Sequence, residues 1–158
     1  MTHQIAFDWQ WHADMLANRK AKSVGLYGEG LALLALRRAG YIVSQAHVGE
    51  RRGDLIIIDS KTGEITTRIE VKTARLSKDG RYHFCLRRQL PDRLCTSADH
   101  ADVLLLLACE AHSISAYVIP TALIPGLTCI AMTSRYGGKY AQFRQAIHDL
   151  TLPNVKNV

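Results

Sequence analysis

Much is missing from this sequence, and each absence excludes something. No apolar stretch approaches the ~20 residues of a membrane-spanning helix; the longest, Val103 to Cys109, is strand-sized. The first residues, Met1-Thr-His-Gln-Ile-Ala-Phe-Asp-Trp9, have neither the basic start nor the apolar run of a secretory signal. A cytoplasmic protein, neither secreted nor embedded in a membrane, is therefore expected. Cysteine is scarce and badly spaced for zinc. The four cysteines (Cys85, Cys95, Cys109, Cys129) include no Cys-x-x-Cys pair, and zinc ribbons and fingers need such pairs. Cys109 and Cys129 lie in apolar segments, where free cysteine acts as a small hydrophobe, so reduced core thiols are expected. Repeats, low-complexity runs and linkers are absent too, and 158 residues suit one domain with a full core.

What is present is ordinary in amount and uneven in placement. Hydrophobic residues make up 47% and charged residues 22%, which argues against disorder. Twenty Lys and Arg against fourteen Asp and Glu leave a net charge of +6, a lean toward a polyanionic partner. The basic residues cluster in Arg51-Arg52, in Lys72-x-x-Arg75-x-x-Lys78-x-x-Arg81 and in Arg87-Arg88. All three clusters fall between Gly49 and Gln89, close to the carboxylates discussed below.

Periodicity divides the chain into a helical extension over residues 1–22, a main domain over 23–150 and a tail over 151–158. The extension (Trp9, Trp11, Met15, Leu16, then Arg19-Lys20-x-Lys22) reads as a short helix with a basic end, open to packing, DNA contact or oligomerisation. A second helix is predicted from Ser23 to Ala39, with Ser23 as N-cap and Gly40 as stop. Leu31, Leu34 and Ala35 repeat along one face, and Glu29 heads an adjacent stripe with Leu33 and Leu36. Gly28 and Gly30 flank Glu29; glycine disfavours a helix by ~1 kcal/mol, so the pair suggests close approach by another element.

Tyr41–Ser44, Asp54–Ile58 and Glu64–Thr73 read as strands. A three-residue loop, Lys61-Thr62-Gly63, would place Ser60 opposite Glu64 and, in the same register, Asp54 opposite Glu70. Lys72, two residues past Glu70, shares its face. Further on, Tyr82–Leu86 reads as a strand and Pro91 opens a helix running to about Ser97. Asp102–Cys109 reads as a buried strand that forms a hairpin with Ile114–Ile119, Leu127–Met132 is a last strand, and Tyr140–Leu150 is a closing amphipathic helix. The order implies an α/β fold around a mixed sheet.

Three carboxylates and a lysine thus converge. Like charges repel unless a cation joins them, and hard oxygen ligands without matched histidine or cysteine select Mg²⁺ or Mn²⁺ over zinc. Five of the seven histidines (His47, His83, His100, His112, His148) show no ligand spacing and receive no role. Ser44 and Gln45 read as a polar strand end.

Glu29, then Gly53-Asp54, then Glu70-Val71-Lys72 resembles the PD-(D/E)XK nuclease superfamily over roughly Ser23 to Pro120. It is most like the Holliday-junction resolvases and the small intron-encoded homing endonucleases. The name-giving proline is replaced by Gly53. The resemblance implies a restriction-endonuclease-like α-β-β-β-α-β core with a mixed central sheet flanked by helices. It implies Asp54, Glu70, Glu29 and the carbonyl of Val71 as metal ligands, with Lys72 positioning or activating water. The activity implied is Mg²⁺-dependent hydrolysis of phosphodiester bonds in double-stranded or branched DNA, with Mn²⁺ able to substitute. Arg51, Arg52, Arg75, Lys78 and Arg81 would contact phosphates. Cutting two strands usually takes two sites, so a homodimer or homotetramer is expected. The rivals are a non-cutting DNA-binding protein on the same fold and an RNA-processing nuclease.

Overall fold

A computed structural model describes residues 8–46, 53–89, 92–133 and 138–154. Helix α1 spans Trp9–Ala17 and α2 spans Ala21–Arg38. Strands β1 (Val43–Gln45), β2 (Leu55–Ile58) and β3 (Ile65–Arg75) follow, then β4 (Arg81–Cys85), β5 (Arg87–Gln89) and β6 (Leu94–Thr96). The chain continues through β7 (Val103–Cys109), β8 (Ile114–Pro120), β9 (Cys129–Thr133) and β10 (Arg144–Ala146). Six strands form the central sheet in the order β1-β2-β3-β7-β8-β10. Only the central β3–β7 pair is parallel; its other neighbours are antiparallel, so the sheet is mixed.

The continuous apolar run of β7 explains its central place, because every one of its residues is buried. Alternate side chains feed two cores. Val103, Leu105 and Leu107 join Leu16, Leu31, Ala35, Leu36, Leu55, Ile69 and Val71 beneath the helices. Leu104 and Leu106 join Tyr82, Phe84, Leu86, Tyr117, Ile119, Ile130 and Met132 on the other face, under the β4–β9 ribbon. Leu104 to Leu107 are each fully buried, and each such side chain contributes about 1.5–3 kcal/mol.

The helix-face prediction holds in part: Leu31, Ala35 and Leu36 are buried, Leu33 and Leu34 only partly, and Ala32 joins the buried face unpredicted. Helix α2 starts two residues early, however: its N-cap residue is Lys20, and the Ser23 hydroxyl instead donates to the Lys20 carbonyl. Helix α1 is packing structure, because Ala13 and Leu16 are fully buried in the helix-side core. Arg19 lies over the Tyr27 ring at 4.0 Å, and Arg75 donates to the Ala17 and Arg19 carbonyls.

Two predicted helices are not helices. Pro91 lies outside the described residues, but Leu94–Thr96 pairs with β5 as a strand, and Ser97–Asp99 is a single 3-10 turn closed by a Thr96–Asp99 capping box. That turn stands where the second helix of the expected core would run. At the C-terminal end, Gly138–Phe143 is a 3-10 segment and Arg144–Ala146 pairs with β8. In both places tertiary pairing supplies the backbone partners that a local helix would have offered. The second pairing also covers the outer edge of a fully buried strand.

Candidate active site

The site is built where β2 meets β3. Leu55 pairs with Ile69 and Ile56 with Arg68, the predicted register, but Asp54 lies just before β2 and bonds through its backbone to Ile69 rather than pairing regularly with Glu70. A bulge between Ile57 and Ile58 shifts the turn by one residue. Asp59, not Ser60, therefore faces Glu64, its N–H donating to the Glu64 carbonyl at 2.9 Å. Asp54 grips β3 on either side of Glu70. Its own N–H donates to the Ile69 carbonyl at 2.8 Å, and its Oδ2 accepts the Val71 N–H at 2.8 Å.

At position 53, where the expected motif would carry proline, the local backbone calls for glycine. Gly53 has φ +75°, and a Cβ there would sit 3.0 Å from the Ile69 carbonyl oxygen. Proline is held near φ −65° and could not make this approach.

Glu70 shares the parity of Lys72 and Ala74 on β3, so it points to the face away from the helices and is 4% exposed. A carboxylate this deep must be paired or protonated. It is paired twice: Lys72 Nζ lies 2.7 Å from Oε1, and His100 Nε2 lies 3.0 Å from Oε2. Burial pushes its pKa up, but the His100 bond, the Lys72 charge and bond and the Ser97 hydroxyl outweigh that and hold it at about 2. His100 is raised in turn by its bond to Glu70, against the pull of burial. Lys72 keeps a third of its side chain exposed (32%), so its ammonium reaches solvent beside the buried carboxylate.

Asp54 and Glu29 are placed differently. Among the described residues neither forms an ion pair. Burial raises the Asp54 pKa, opposed by the Val71 N–H and reinforced by the charge of Glu70. Burial also raises Glu29, the Asp54 charge raises it further, and Lys72 partly offsets both. Helix α2 brings Glu29 here because Gly28 lets it sit on β3: a Cβ at Gly28 would lie 1.8 Å from Thr73 Oγ1. Gly30, by contrast, faces open space, so only one of the flanking glycines marks a close approach.

The predicted quartet is thus one neighbourhood, with Asp54, Glu70 and Lys72 adjacent and Glu29 within electrostatic reach of Asp54 and Lys72. The side chains do not close into a cage. Among the described residues no three His, Cys, Asp or Glu groups are arranged to hold a metal ion. The donor chemistry nevertheless fits a hard divalent cation at Asp54 and Glu29, which form no ion pair among the described residues. At Glu70 a cation would compete with Lys72 and His100.

Of the expected phosphate contacts, Arg51 and Arg52 lie outside the described residues. Arg75 is committed to the carbonyls at the end of α1. Lys78 and Arg81 are exposed around the β3–β4 turn, beyond the far end of the strand from Glu70. Arg88 is exposed and close enough to His100 to disfavour its charge.

His100 is the residue that spacing missed. It shares no ligand interval with another histidine, and it reaches Glu70 only because β7 lies parallel to β3, with Glu70 beside Leu104. The 3-10 turn at Ser97–Asp99 then delivers His100 just before that strand. Asp102 fastens the junction, its Oδ2 accepting the Arg68 N–H at 2.7 Å.

No family model matches this sequence, and no curated protein does. A solved structure does. The fold is similar to that of a bacterial homing endonuclease, I-Ssp6803I. The likeness has a TM-score of 0.59 at 21% identity and covers 80% of this chain and 89% of that one. A similarity at this identity establishes the shared fold: a six-stranded mixed sheet with helices on one face. No helix among the described residues is long and apolar enough to cross a membrane.

Proposed function

We propose that this chain is a divalent-metal-dependent endonuclease of the PD-(D/E)XK kind that hydrolyses phosphodiester bonds in double-stranded or branched DNA. The observation that carries it is the grip of Asp54 on both sides of Glu70, with Lys72 beside Glu70 on the same strand face. The likeness to a homing endonuclease supports DNA as the substrate, and the hard oxygen donors of Asp54 and Glu29 suit Mg²⁺, with Mn²⁺ able to replace it.

Asp54 and Glu29, with Glu70 and the Val71 carbonyl, would hold the cation. When bound, it supplies charge for the scissile phosphate and a lowered pKa for a water molecule. Lys72 holds one proton donor on Glu70 and, being partly exposed, has others for an attacking water or a phosphate oxygen. His100 positions Glu70. Arg88 adds positive potential for the DNA backbone. Two copies of the chain, acting as a homodimer or tetramer inside the cell, would cut two strands.

The test is nicking of plasmid and four-way-junction DNA with and without Mg²⁺. Wild type should cut only with the ion. Lys72→Ala should lose ~10²-fold or more of the rate while still binding DNA. Wild-type protein that binds DNA and never nicks it would favour the second reading, a DNA-binding protein on a nuclease fold. The engagement of Glu70 by Lys72 and His100 is the observation on that side.

A further inference from the structure

The β4–β9 ribbon carries a chemistry that the proposed site does not use. Of the four cysteines, Cys95 and Cys109 are buried, while Cys85 and Cys129 are exposed. Forty-four positions apart in sequence, the exposed two are direct partners across the ribbon, Cys85 opposite Cys129. Burial alternates along both strands, with Tyr82, Phe84, Ile130 and Met132 inward and both cysteines outward. The Leu86 N–H donates to the Thr128 carbonyl at 2.9 Å, which makes the Cys85–Cys129 pair the non-hydrogen-bonded kind. Such partners have Cα atoms ~4.5 Å apart with side chains close together, inside the ~4.4–6.8 Å range that a disulfide spans.

We infer that Cys85 and Cys129 are a thiol–disulfide modification site, closed by exchange with a low-molecular-weight disulfide. One cysteine thiolate attacks the small disulfide, forms a mixed disulfide and releases one small thiol. The second cysteine, as thiolate, attacks the mixed bond at the protein sulfur and releases the other small thiol. Two protein thiols are oxidised, one small disulfide is reduced to two thiols, and the two protons go to the released thiolates. The remaining cysteines do not compete. Cys95 and Cys109 are 6% and 3% exposed, and burial pushes the Cys109 thiol up to about 11. The bond would close a loop running from β4 through the β5–β6 hairpin, β7 and β8 to β9. Leu86, next to Cys85, accepts from both Ser97 N and Oγ, so the ribbon end is tied to the turn that carries His100.

The experiment is incubation of the whole folded chain with oxidised glutathione, followed by intact mass, peptide mapping without reduction and a thermal melt. The expected product is a monomer lighter by two hydrogens, with a Cys85–Cys129 peptide link, reversed by dithiothreitol. Its melting temperature should rise by roughly 5–10 °C. Cys85→Ser and Cys129→Ser should each stop at one stable glutathione adduct on the remaining exposed cysteine. Wild type that also stops at glutathione adducts would overturn the assignment. A link through Cys95 or Cys109, or a bond between two chains, would overturn it as well.

Discussion

Glu70 on β3 and Asp54 just before β2 are neighbours that solve the problem of a buried charge in opposite ways. Glu70 is deep in the face away from the helices, and the protein neutralises it from within, through Lys72 at 2.7 Å and His100 at 3.0 Å. Asp54 and Glu29 are partly buried with no cation of their own among the described residues, and their pKa values are raised. One carboxylate is an internal structural charge as the chain stands. The other two carry no ion pair among the described residues, and only the Val71 N–H and the more distant Lys72 charge offset them. The contrast teaches where an added cation would act: at Asp54 and Glu29 first, with Glu70 as the pre-set wall beside them.

The largest expected effect breaks the comparison at Asp54. Asp54→Asn should lower DNA cleavage ~10²–10³-fold and abolish most of the rise in melting temperature that Mg²⁺ gives the wild type. In EDTA it should melt no lower than wild type, because neutralising a raised carboxylate relieves repulsion with Glu29 and Glu70. Thermal melts with and without Mg²⁺ beside a nicking assay check this. An active variant with a full Mg²⁺ response would remove Asp54 from the site.

Glu70→Gln should behave the other way in EDTA. Lys72 and His100 lose their shared anion, and the folded state should weaken by about 1–3 kcal/mol in denaturant titration. If Glu70→Gln is neutral in EDTA and Asp54→Asn is destabilising, the contrast is reversed.

Gly28 and Gly30 probe how Glu29 reaches this neighbourhood. A methyl at Gly28 collides with Thr73, so Gly28→Ala should destabilise by about 1–3 kcal/mol as α2 is pushed from β3. Gly30 meets nothing within 4 Å, and Gly30→Ala should stabilise by about 0.5–1 kcal/mol through helix propensity alone. Equal effects would mean that α2 does not rest on β3 through Gly28.

The smallest effect is the pH profile of the same pair in EDTA. The Glu70 pKa falls on folding from 4.5 to about 2, so its contribution is full above 4.5 and is lost as pH falls toward 2. The His100 pKa rises on folding above 6.5, so its contribution is full below 6.5 and fades as pH climbs through the raised value. The gap in melting temperature between wild type and Glu70→Gln should therefore be widest between pH 4.5 and 6.5 and narrow on both sides. A gap constant from pH 3 to 9, roughly the span over which such groups titrate, would mean that the pair does not carry the stabilisation.

Local chemistry in the chain determined a good deal of this protein. The alternation of β3 and the hairpin signal before it put Glu70 and Lys72 on one face and brought Asp54 beside them. Those features depend on period-two geometry and a turn, both encoded within a few residues. The apolar run of β7 marked a strand buried on both faces. The leucine spacing of α2 marked its buried stripe, and glycine beside Glu29 marked the contact at Gly28. What only the tertiary structure decided depends on residues far apart in the chain. The parallel docking of β7 on β3 brings His100 to Glu70, and no interval in the sequence encodes that meeting. Arg75 reads as one more basic residue until α1 presents two carbonyls to it. The segments around Leu94 and Arg144 became strands because β5 and the edge of β8 offered them partners. Backbone groups must be hydrogen-bonded somewhere, and which partner takes them is decided when distant strands come together.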